Sequence, residues 1–424
     1  MLSTLRNAWR IPEIRQKIVF TLLMLLVFRL GSAVPVPYMN KEAIDLIFSG
    51  GQGGILQFMD LMAGGGFSQF SIFVLSIYPY ITASIVIQLL RIAIPKLEEL
   101  AKQGEEGKKK ITQLTRYGAL ALALIQAIGY TFGFFKQALE TTNTMQNIIV
   151  IITMVAGTAF LMWIGELITE KGIGNGISLI IFIGIISALP KQLIATVKAV
   201  AAGELNIIKV LIFGVVFLFI IAVVIAIQEG ERRIAVQYAK RVVGRKMYGG
   251  QSTHIPVKVL MAGVMPVIFA QSLLVIPQTI TLFVGGNAAA WITKYLTPSG
   301  SVGIWIYSIF NILLIIFFTY FYTAIQFNTV EYAKNLQQNG GFVPGIRPGR
   351  PTSEYLNKVV NRVVIVGGLA LAVLSVLPMI LTKIFGMNVN FGGTAIIIVV
   401  GVALETVKQI ESQMLMRHYK GFLK

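Results

Sequence analysis

The chain of 424 residues has no cysteine and only two histidines, His254 and His418. Without cysteine it forms no disulfide, no iron–sulfur cluster and no thiolate zinc site, and it has no thiol nucleophile. Charged residues make up only 13% of the sequence, against about 25% in typical globular domains. These shortages exclude an ordinary soluble enzyme and leave little material for acid–base or metal chemistry.

Hydrophobic residues make up 55% of the sequence, and they occur in runs of about 20, the length that a membrane-spanning helix needs. A helix satisfies all of its backbone polar groups inside hydrocarbon. We therefore predict an all-α integral membrane protein with ten spans, at 18–34, 70–94, 111–135, 148–168, 177–200, 207–228, 259–284, 304–327, 359–381 and 392–410. The first span has the basic flank of a signal peptide, but Arg29 interrupts it and prolines follow it, so we expect a retained helix.

Lysine and arginine are distributed unevenly between the two ends of these spans. Both termini and alternate loops on one side carry 28 of the 36, the other side carries 7, and Arg29 lies within a span. The positive-inside rule then places the termini and the long basic loops in the cytoplasm. The net charge of +18 is accordingly a property of the cytoplasmic face.

The ten spans divide into an N-terminal half at 1–200 and a C-terminal half at 201–424. Each half has five spans, an odd number, so the second half enters the membrane from the side opposite to the first, as in inverted-repeat proteins. In each half glycine or proline interrupts the second span, and the fifth has a short apolar core, Ile177–Leu189 or Thr394–Leu404. Matched breaks of this kind point to a functional path, although small residues also simply allow close helix packing.

A short apolar segment, Ile55–Ala63, lies between two clusters of glycines. Its length as a helix is roughly 14 Å, which cannot span a hydrocarbon core of about 30 Å. The segment also contains the polar residues Gln57 and Asp60. We expect a re-entrant piece packed against protein or filling a cavity, and a helix on the external surface is the alternative.

No motif for nucleotide chemistry is convincing. The glycines at 172–176 follow no strand, and Gly107–Lys110 lacks the other residues of a phosphate-binding loop, so we expect a helix-breaking turn and a basic loop. Intramembrane charges are sparse, with Arg29 in the first span and Glu166 near the cytoplasmic end of the fourth, and we expect Arg29 to pair with backbone or polar groups between helices. The scarcity of intramembrane acids argues against an ion-coupled transporter.

Two long cytoplasmic loops are basic, at about 229–258 and about 331–358. Their length exceeds what a connection needs, which favours the docking of a large partner. RNA phosphates or an acidic protein surface would suit their basic residues. The simpler alternative is binding to the headgroups of anionic lipids.

Four motifs in order resemble the SecY family, the channel subunits of the Sec protein-conducting translocon. They are Ser76–Gln88, Gly165–Ser178, Gln251–Val259 and Phe342–Gly349, and the similarity extends from about residue 18 to about residue 409.

The resemblance implies an hourglass channel between the two halves, with residues in four roles. A re-entrant plug helix would comprise Ile55, Leu56, Phe58, Met59, Asp60, Leu61 and Met62. A pore ring would comprise Ile77, Ile81, Ile177, Ile181, Ile268 and Ile398. A lateral gate toward lipid would run between Thr82 and Ile85 on one helix and Ile276 and Ile280 on another, and Arg245, Lys246 and Arg347 would dock partners.

The function implied is passage of unfolded secretory polypeptides and sideways release of transmembrane segments into lipid. The resemblance implies no cofactor, and it implies that the motor SecA or the ribosome drives transport. Its other implied partners are the small subunits SecE and SecG, polypeptides with signal sequences and anionic lipids, in a bacterial plasma membrane. A secondary transporter of small solutes, also built from inverted repeats, is the alternative function.

Overall fold

The computed structural model describes residues 2–49, 60, 64–139, 143–203, 205–238, 241–243, 246–248, 252–281, 283–284, 286–297, 302–385 and 393–421. It is mainly helical. The N-terminal half contains α1 (Leu2–Arg10), α2 (Pro12–Ser32), α3 (Lys41–Ser49), α4 (Tyr78–Ala93), α5 (Pro95–Lys102), α6 (Gly104–Gly129), α7 (Thr144–Lys171) and α8 (Gly176–Ala201). The C-terminal half contains α9 (Ile207–Glu229), α10 (Met265–Ile280), α11 (Gly286–Leu296), α12 (Gly303–Gln326), α13 (Thr329–Gln338), α14 (Arg350–Phe385) and α15 (Gly393–Gly421).

Six helical segments of the described chain are long and apolar enough to cross a membrane. They are Thr144–Lys171, Gly176–Ala201, Ile207–Glu229, Gly303–Gln338, Arg350–Leu381 and Gly393–Met416. The other four predicted spans correspond to α2, α4, α6 and α10, which are helical but shorter or more polar at one end. The chain bends by 102° between α4 and α5, because Pro95 cannot continue the preceding helix.

The predicted interruption of the second span in each half is confirmed. The chain forms turns from Gly64 to Ile77, and α4 begins only at Tyr78. Turns likewise occupy 259–264 before α10. Pro79 and Pro266 each lie in the first turn of a helix, where the missing N–H removes no intrahelical hydrogen bond.

The helices of the fifth spans are longer than their short apolar cores. Helix α8 has 26 residues and α15 has 29. Both continue past their apolar cores through residues such as Lys198 and Lys408, since lysine is a good helix former. Asn175 starts α8 by accepting hydrogen bonds from the N–H groups of Ile177 and Ser178, which confirms the predicted break at the glycines of 172–176.

The two basic loops form a small sheet, which an all-α prediction omits. Strand β1 (Glu231–Tyr238) pairs antiparallel with β4 (Ser252–Lys258) and with β5 (Gly341–Phe342), and within the first loop β2 (Arg241–Val243) pairs antiparallel with β3 (Lys246–Tyr248). Buried side chains of the sheet, among them Val236 and Val257, pack with Leu356 and Val360 of α14. The two loops are therefore one folded platform.

Candidate functional site

A small void lies within the largest buried hydrophobic cluster, where helices of both halves meet. Five of the six isoleucines predicted for the ring line it: Ile77, Ile81, Ile181, Ile268 and Ile398. They are between 1% and 5% exposed. The centre of a water molecule has about 10 Å³ available there, which is at the lower limit for one water.

These isoleucines lie at or near the starts of four helices. Ile77 is the residue before α4, and Ile81 follows one turn later on the same helix. Ile181, Ile268 and Ile398 lie within the first two turns of α8, α10 and α15. The interruptions before α4 and α10 thus bring helix starts, rather than uninterrupted spans, to the centre of the protein.

Ile177 is not part of the lining of this void. It lies one turn before Ile181, and its Cγ1 lies 3.3 Å from the position that a Cβ on Gly165 would take. Its side chain therefore packs toward α7, with partial exposure.

Polar residues that the sequence did not indicate also line the void, namely Ser76, Tyr78, Gln271 and Ser272. Gln271 leads into a buried chain of hydrogen bonds between α10, α12 and α14. The Tyr307 hydroxyl donates to Gln271 Oε1 at 3.1 Å, Gln271 Nε2 donates to Asn311 Oδ1 at 3.4 Å, and Asn311 Nδ2 donates to Ser375 Oγ at 3.4 Å. These hydrogen bonds join three helices of the C-terminal half next to the void.

Of the predicted plug, only Asp60 is described, and Ile55, Leu56, Phe58, Met59, Leu61 and Met62 lie outside the described residues. The Ser68 N–H donates to Asp60 Oδ1 at 2.6 Å, and the Gly65 N–H donates to the Asp60 carbonyl at 2.9 Å. Burial raises the pKa of the Asp60 carboxyl above its ordinary value, against the opposing effect of the hydrogen bond from Ser68.

The residues predicted for the lateral gate lie on α4 and α10, which are in contact. Thr82 and Ile85 are buried, at 8% and 1% exposure, whereas Ile276 and Ile280 are 38% and 46% exposed. The two helices run antiparallel. Ile81 shares the central void with Ile268, and Tyr78 shares a second void with Val275, so residue numbers fall along α4 as they rise along α10.

The structure describes two of the three predicted docking residues. Arg245 lies outside the described residues. Lys246 is the first residue of β3. Arg347 is exposed in the turn between β5 and α14, and its carbonyl accepts a hydrogen bond from Thr352 Oγ1 at 2.8 Å. The turn that carries Arg347 is thereby fixed to the first turn of α14.

Arg29 and Glu166 both have hydrogen-bond partners. Arg29 Nη1 donates to the Gly64 carbonyl at 2.7 Å and to Ser187 Oγ at 3.0 Å, which confirms the predicted pairing with backbone and polar groups. Glu166 receives two hydrogen bonds from Arg116 of α6, at 2.9 and 2.5 Å. The sequence did not indicate this pair. Within the described parts of the chain, no cluster of three or more His, Asp or Glu side chains could hold a metal ion.

Comparisons with known proteins agree along the whole chain. The family model for SecY matches residues 71–407. The protein translocase subunit SecY of Halalkalibacterium halodurans is 46% identical over 437 residues, which cover 100% of each chain. The subunit of the same name from Bacillus subtilis is 45% identical over 437 residues with the same coverage, and that from Thermotoga maritima is 42% identical over 434 residues, covering 100% of this chain and 98% of the relative.

Solved structures share the fold at low sequence identity. A protein-conducting channel superposes with a TM-score of 0.66 at 17% identity, over 95% of this chain and 93% of that chain. A SecY structure that concerns the plug domain and the closed state of the channel gives a TM-score of 0.67 at 17% identity, over 95% and 92%. Sec61 in a canine ribosome–channel complex gives 0.63 at 17% identity, over 95% and 93%.

Proposed function

Because the chain belongs to the SecY family of protein translocase subunits, we propose that it is the central channel through which unfolded secretory polypeptides cross the membrane. The single observation that carries the proposal is the convergence of Ile77, Ile81, Ile181, Ile268 and Ile398, from both halves, around one small void. It is a channel subunit and not a catalytic enzyme. The alternative of a small-solute transporter is wrong, since relatives that are 42–46% identical over their full length are translocase subunits.

An apolar ring suits this task for two reasons. Isoleucine is β-branched and stiff at χ1, so the ring closes around a passing chain without offering it side-chain hydrogen bonds. A narrow apolar constriction also excludes ions by dewetting. Since such a ring recognises no particular sequence, many different polypeptides can pass.

Sideways release is proposed to occur between α4 and α10. At the centre of a membrane helix each Leu or Ile favours insertion by about 0.3–0.6 kcal/mol, and a Lys, Arg or Asp opposes it by about 2.5–3.5 kcal/mol. A segment exposed to lipid through an opening between these helices would therefore enter the lipid or stay in the channel according to its own amino-acid composition. The exposure of Ile276 and Ile280 on the outer side of α10 supports contact with lipid there.

Energy for transport would come from a partner at the cytoplasmic platform, either SecA or the ribosome. The platform combines the sheet with the exposed turn of Arg347 and is stabilised by one buried cluster. SecE, SecG and anionic lipids complete the proposed assembly in a bacterial plasma membrane, with both termini cytoplasmic. The split of 28 against 7 basic residues supports this orientation.

Export in a purified system tests the proposed function. The complex that contains the chain is placed in lipid vesicles with a cytosolic motor, and a precursor protein is added with its signal sequence intact. Precursor that enters the vesicles becomes protected from added protease. The control is the same precursor with two aspartates in the apolar run of its signal sequence. Absence of protected precursor with an intact complex would contradict the proposal.

Charge reversal at Arg347 is expected to reduce export by about tenfold or more, because like charges brought together in an interface cost several kcal/mol. Arg347 is exposed in a turn that is held through its backbone, so Arg347→Glu should leave the thermal stability of the complex nearly unchanged. Lys41→Glu makes the same reversal at an exposed residue on the opposite side and should export normally. Normal export by Arg347→Glu, or its loss through degradation, would contradict a docking role.

A further inference from the structure

A polar cleft lies in the C-terminal half where α12, α13 and α14 meet. Its volume is about 260 Å³, whereas roughly 10–15 Å³ is enough for one water molecule. Helix α12 ends at Gln326 and α13 begins at Thr329. The two residues that connect these helices, Phe327 and Asn328, line the cleft opposite residues of α14. The cleft therefore has room for a molecular group much larger than water.

Hydroxyl and amide groups line the cleft, and none of the described lining residues is charged. Its polar residues are Tyr320, Thr323, Asn328, Thr329, Asn357 and Asn361. Asn357 and Asn361 lie one turn apart on α14, and no hydrogen bond between described residues engages their side-chain amides. Each amide supplies two N–H donors, so together they can bind several oxygens of one ligand.

The predicted spans place the cleft at the boundary of the membrane. The span of α12 is predicted to end at residue 327, and that of α14 is predicted to begin at residue 359. The lining residues fall within 320–329 and 357–364, so both boundaries lie inside the cleft. Tyr320 is 46% exposed, and tyrosine is enriched at membrane–water interfaces. The cleft thus lies at the level of the lipid headgroups.

Exposed apolar side chains lead from the cleft into the predicted hydrocarbon region. On α12 they are Leu313 and Phe317, which precede Tyr320 at one-turn spacing, and on α14 they are Val366, Leu369 and Val373. Helices α12 and α14 pack against each other. Acyl chains can therefore lie along these two faces while a headgroup occupies the cleft.

Two cations flank the cleft on α14. Lys358 and Arg362 each follow one of the two lining asparagines, and both are exposed. They lie one turn apart and share a side of the helix with Val366. Neither belongs to an ion pair among the described residues. Basic residues between membrane helices on the cytoplasmic side attract anionic headgroups, so these two cations favour a negatively charged ligand.

The chemistry of the cleft selects among possible ligands. A metal cation is disfavoured, because no carboxylate of the described residues lines the cleft. A wholly apolar ligand would take the amides of Asn357 and Asn361 out of water without a hydrogen bond, which is costly. A phosphate group accepts hydrogen bonds from amides and hydroxyls, and its charge strengthens them. The exposed apolar faces beside the cleft indicate a phosphate that carries acyl chains.

We propose that the cleft between α12, α13 and α14 binds the headgroup of one anionic glycerophospholipid. Its phosphate lies among the amides of α14 and near Lys358 and Arg362, and its acyl chains follow α12 and α14 into the membrane. The inference rests on the proposed function, which includes anionic lipids as partners, and it gives one such lipid a defined site. Val360 and Val364 line the cleft and also belong to the buried cluster of the platform, so the bound lipid stabilises the base of the platform.

Photolabelling tests the site without precursor or motor. The complete complex is placed in phosphatidylcholine vesicles with a small fraction of phosphatidylglycerol that carries a diazirine on the acyl carbon nearest the glycerol. A phosphatidylcholine with the same diazirine is the control lipid. After irradiation and proteolysis, mass spectrometry measures labelling within 320–329 and 357–364.

The phosphatidylglycerol probe is expected to label these two segments about tenfold more than the phosphatidylcholine probe, because of the two cations. Asn361→Asp keeps the size of the side chain but places a negative charge in the cleft, and it should lower the phosphatidylglycerol signal about tenfold. Asn335→Asp is the matched control, since Asn335 is exposed on α13 and does not line the cleft. It should label within about twofold of the original protein.

A second pair of variants addresses the cations without changing the cleft itself. Lys358→Gln with Arg362→Gln should reduce labelling by phosphatidylglycerol to the phosphatidylcholine level. Lys108→Gln with Lys109→Gln removes two exposed lysines elsewhere and should leave labelling unchanged. If Asn361→Asp fails to assemble, this second pair decides the question.

Three results would overturn the inference. The two probes could label the original protein equally, which would show only ordinary lipid contact. Labelling could persist unchanged in Asn361→Asp and in Lys358→Gln with Arg362→Gln. Sodium phosphate could abolish labelling where sodium chloride of equal ionic strength does not, which would make the cleft a site for free phosphate. Failure of the proposed function is distinct from all three, because it appears as absent export and leaves this labelling unaffected.

Discussion

Replacing Ile81 and Ile268 together by asparagine is expected to make the resting channel leak ions, with conductance raised by about tenfold or more, because the barrier depends on an apolar lining. Both side chains line the central void, from α4 and α10 respectively, and are 4% exposed. Two amides there would hydrogen-bond to water in a space that now offers about 10 Å³ to a water centre. The measurement is single-channel conductance of the complex in a planar bilayer without precursor.

The matched control is Ile81→Val with Ile268→Val. It removes one methylene group from each side chain, so it widens the void without adding a polar atom. Dewetting predicts that the valine variant stays closed to ions while the asparagine variant conducts. Equal conductance in the two variants would mean that size rather than polarity sets the seal. Unchanged conductance in both would show that these residues do not form the barrier.

The general architecture could be predicted from the sequence because a chain inside hydrocarbon must satisfy its own backbone polar groups. Runs of apolar residues identified the helices, and glycine and proline identified the breaks before α4 and α10. The ring residues came from a resemblance in motifs such as Ser76–Gln88, and no periodicity pointed to them. Five of them line one void in the structure, and Ile177 packs toward Gly165 instead.

Features that depend on contacts between distant segments could not be predicted from the sequence. The alternation of buried and exposed residues in Glu231–Tyr238 is typical of a strand, but its partners lie at Ser252–Lys258 and Gly341–Phe342. Gln271 and Asn311 lie 40 positions apart within apolar helices, and nothing in either span indicates that they meet. Arg116 lies 50 positions from Glu166, its partner in the ion pair. Such pairings require the three-dimensional arrangement.

That arrangement also orders the residue pairs across the proposed lateral gate. Tyr78 and Val275 line a common void, and α4 and α10 run antiparallel from there. Thr82 lies one turn from Tyr78, about 6 Å along its helix, and Ile276 follows Val275 in the opposite direction, so Thr82 and Ile276 are separated by about 8 Å along the helices. Ile85 lies about 10 Å from Tyr78, and Ile280 about 7 Å from Val275 in the opposite direction, so Ile85 and Ile280 are separated by about 17 Å along the helices.

A disulfide between Tyr78→Cys and Val275→Cys, which line the same void, is therefore expected to form readily, whereas Ile85→Cys with Ile280→Cys should not oxidise in the closed channel. A disulfide requires Cα atoms within about 7 Å, and the chain has no native cysteine to interfere. The cross-link would hold α4 against α10, so export and membrane insertion should both stop and recover on reduction. Gel mobility after proteolysis between the two helices measures the cross-link, and protease protection measures export. If the 78–275 disulfide forms efficiently and both activities continue at the reduced protein's rate, polypeptides do not leave between these helices.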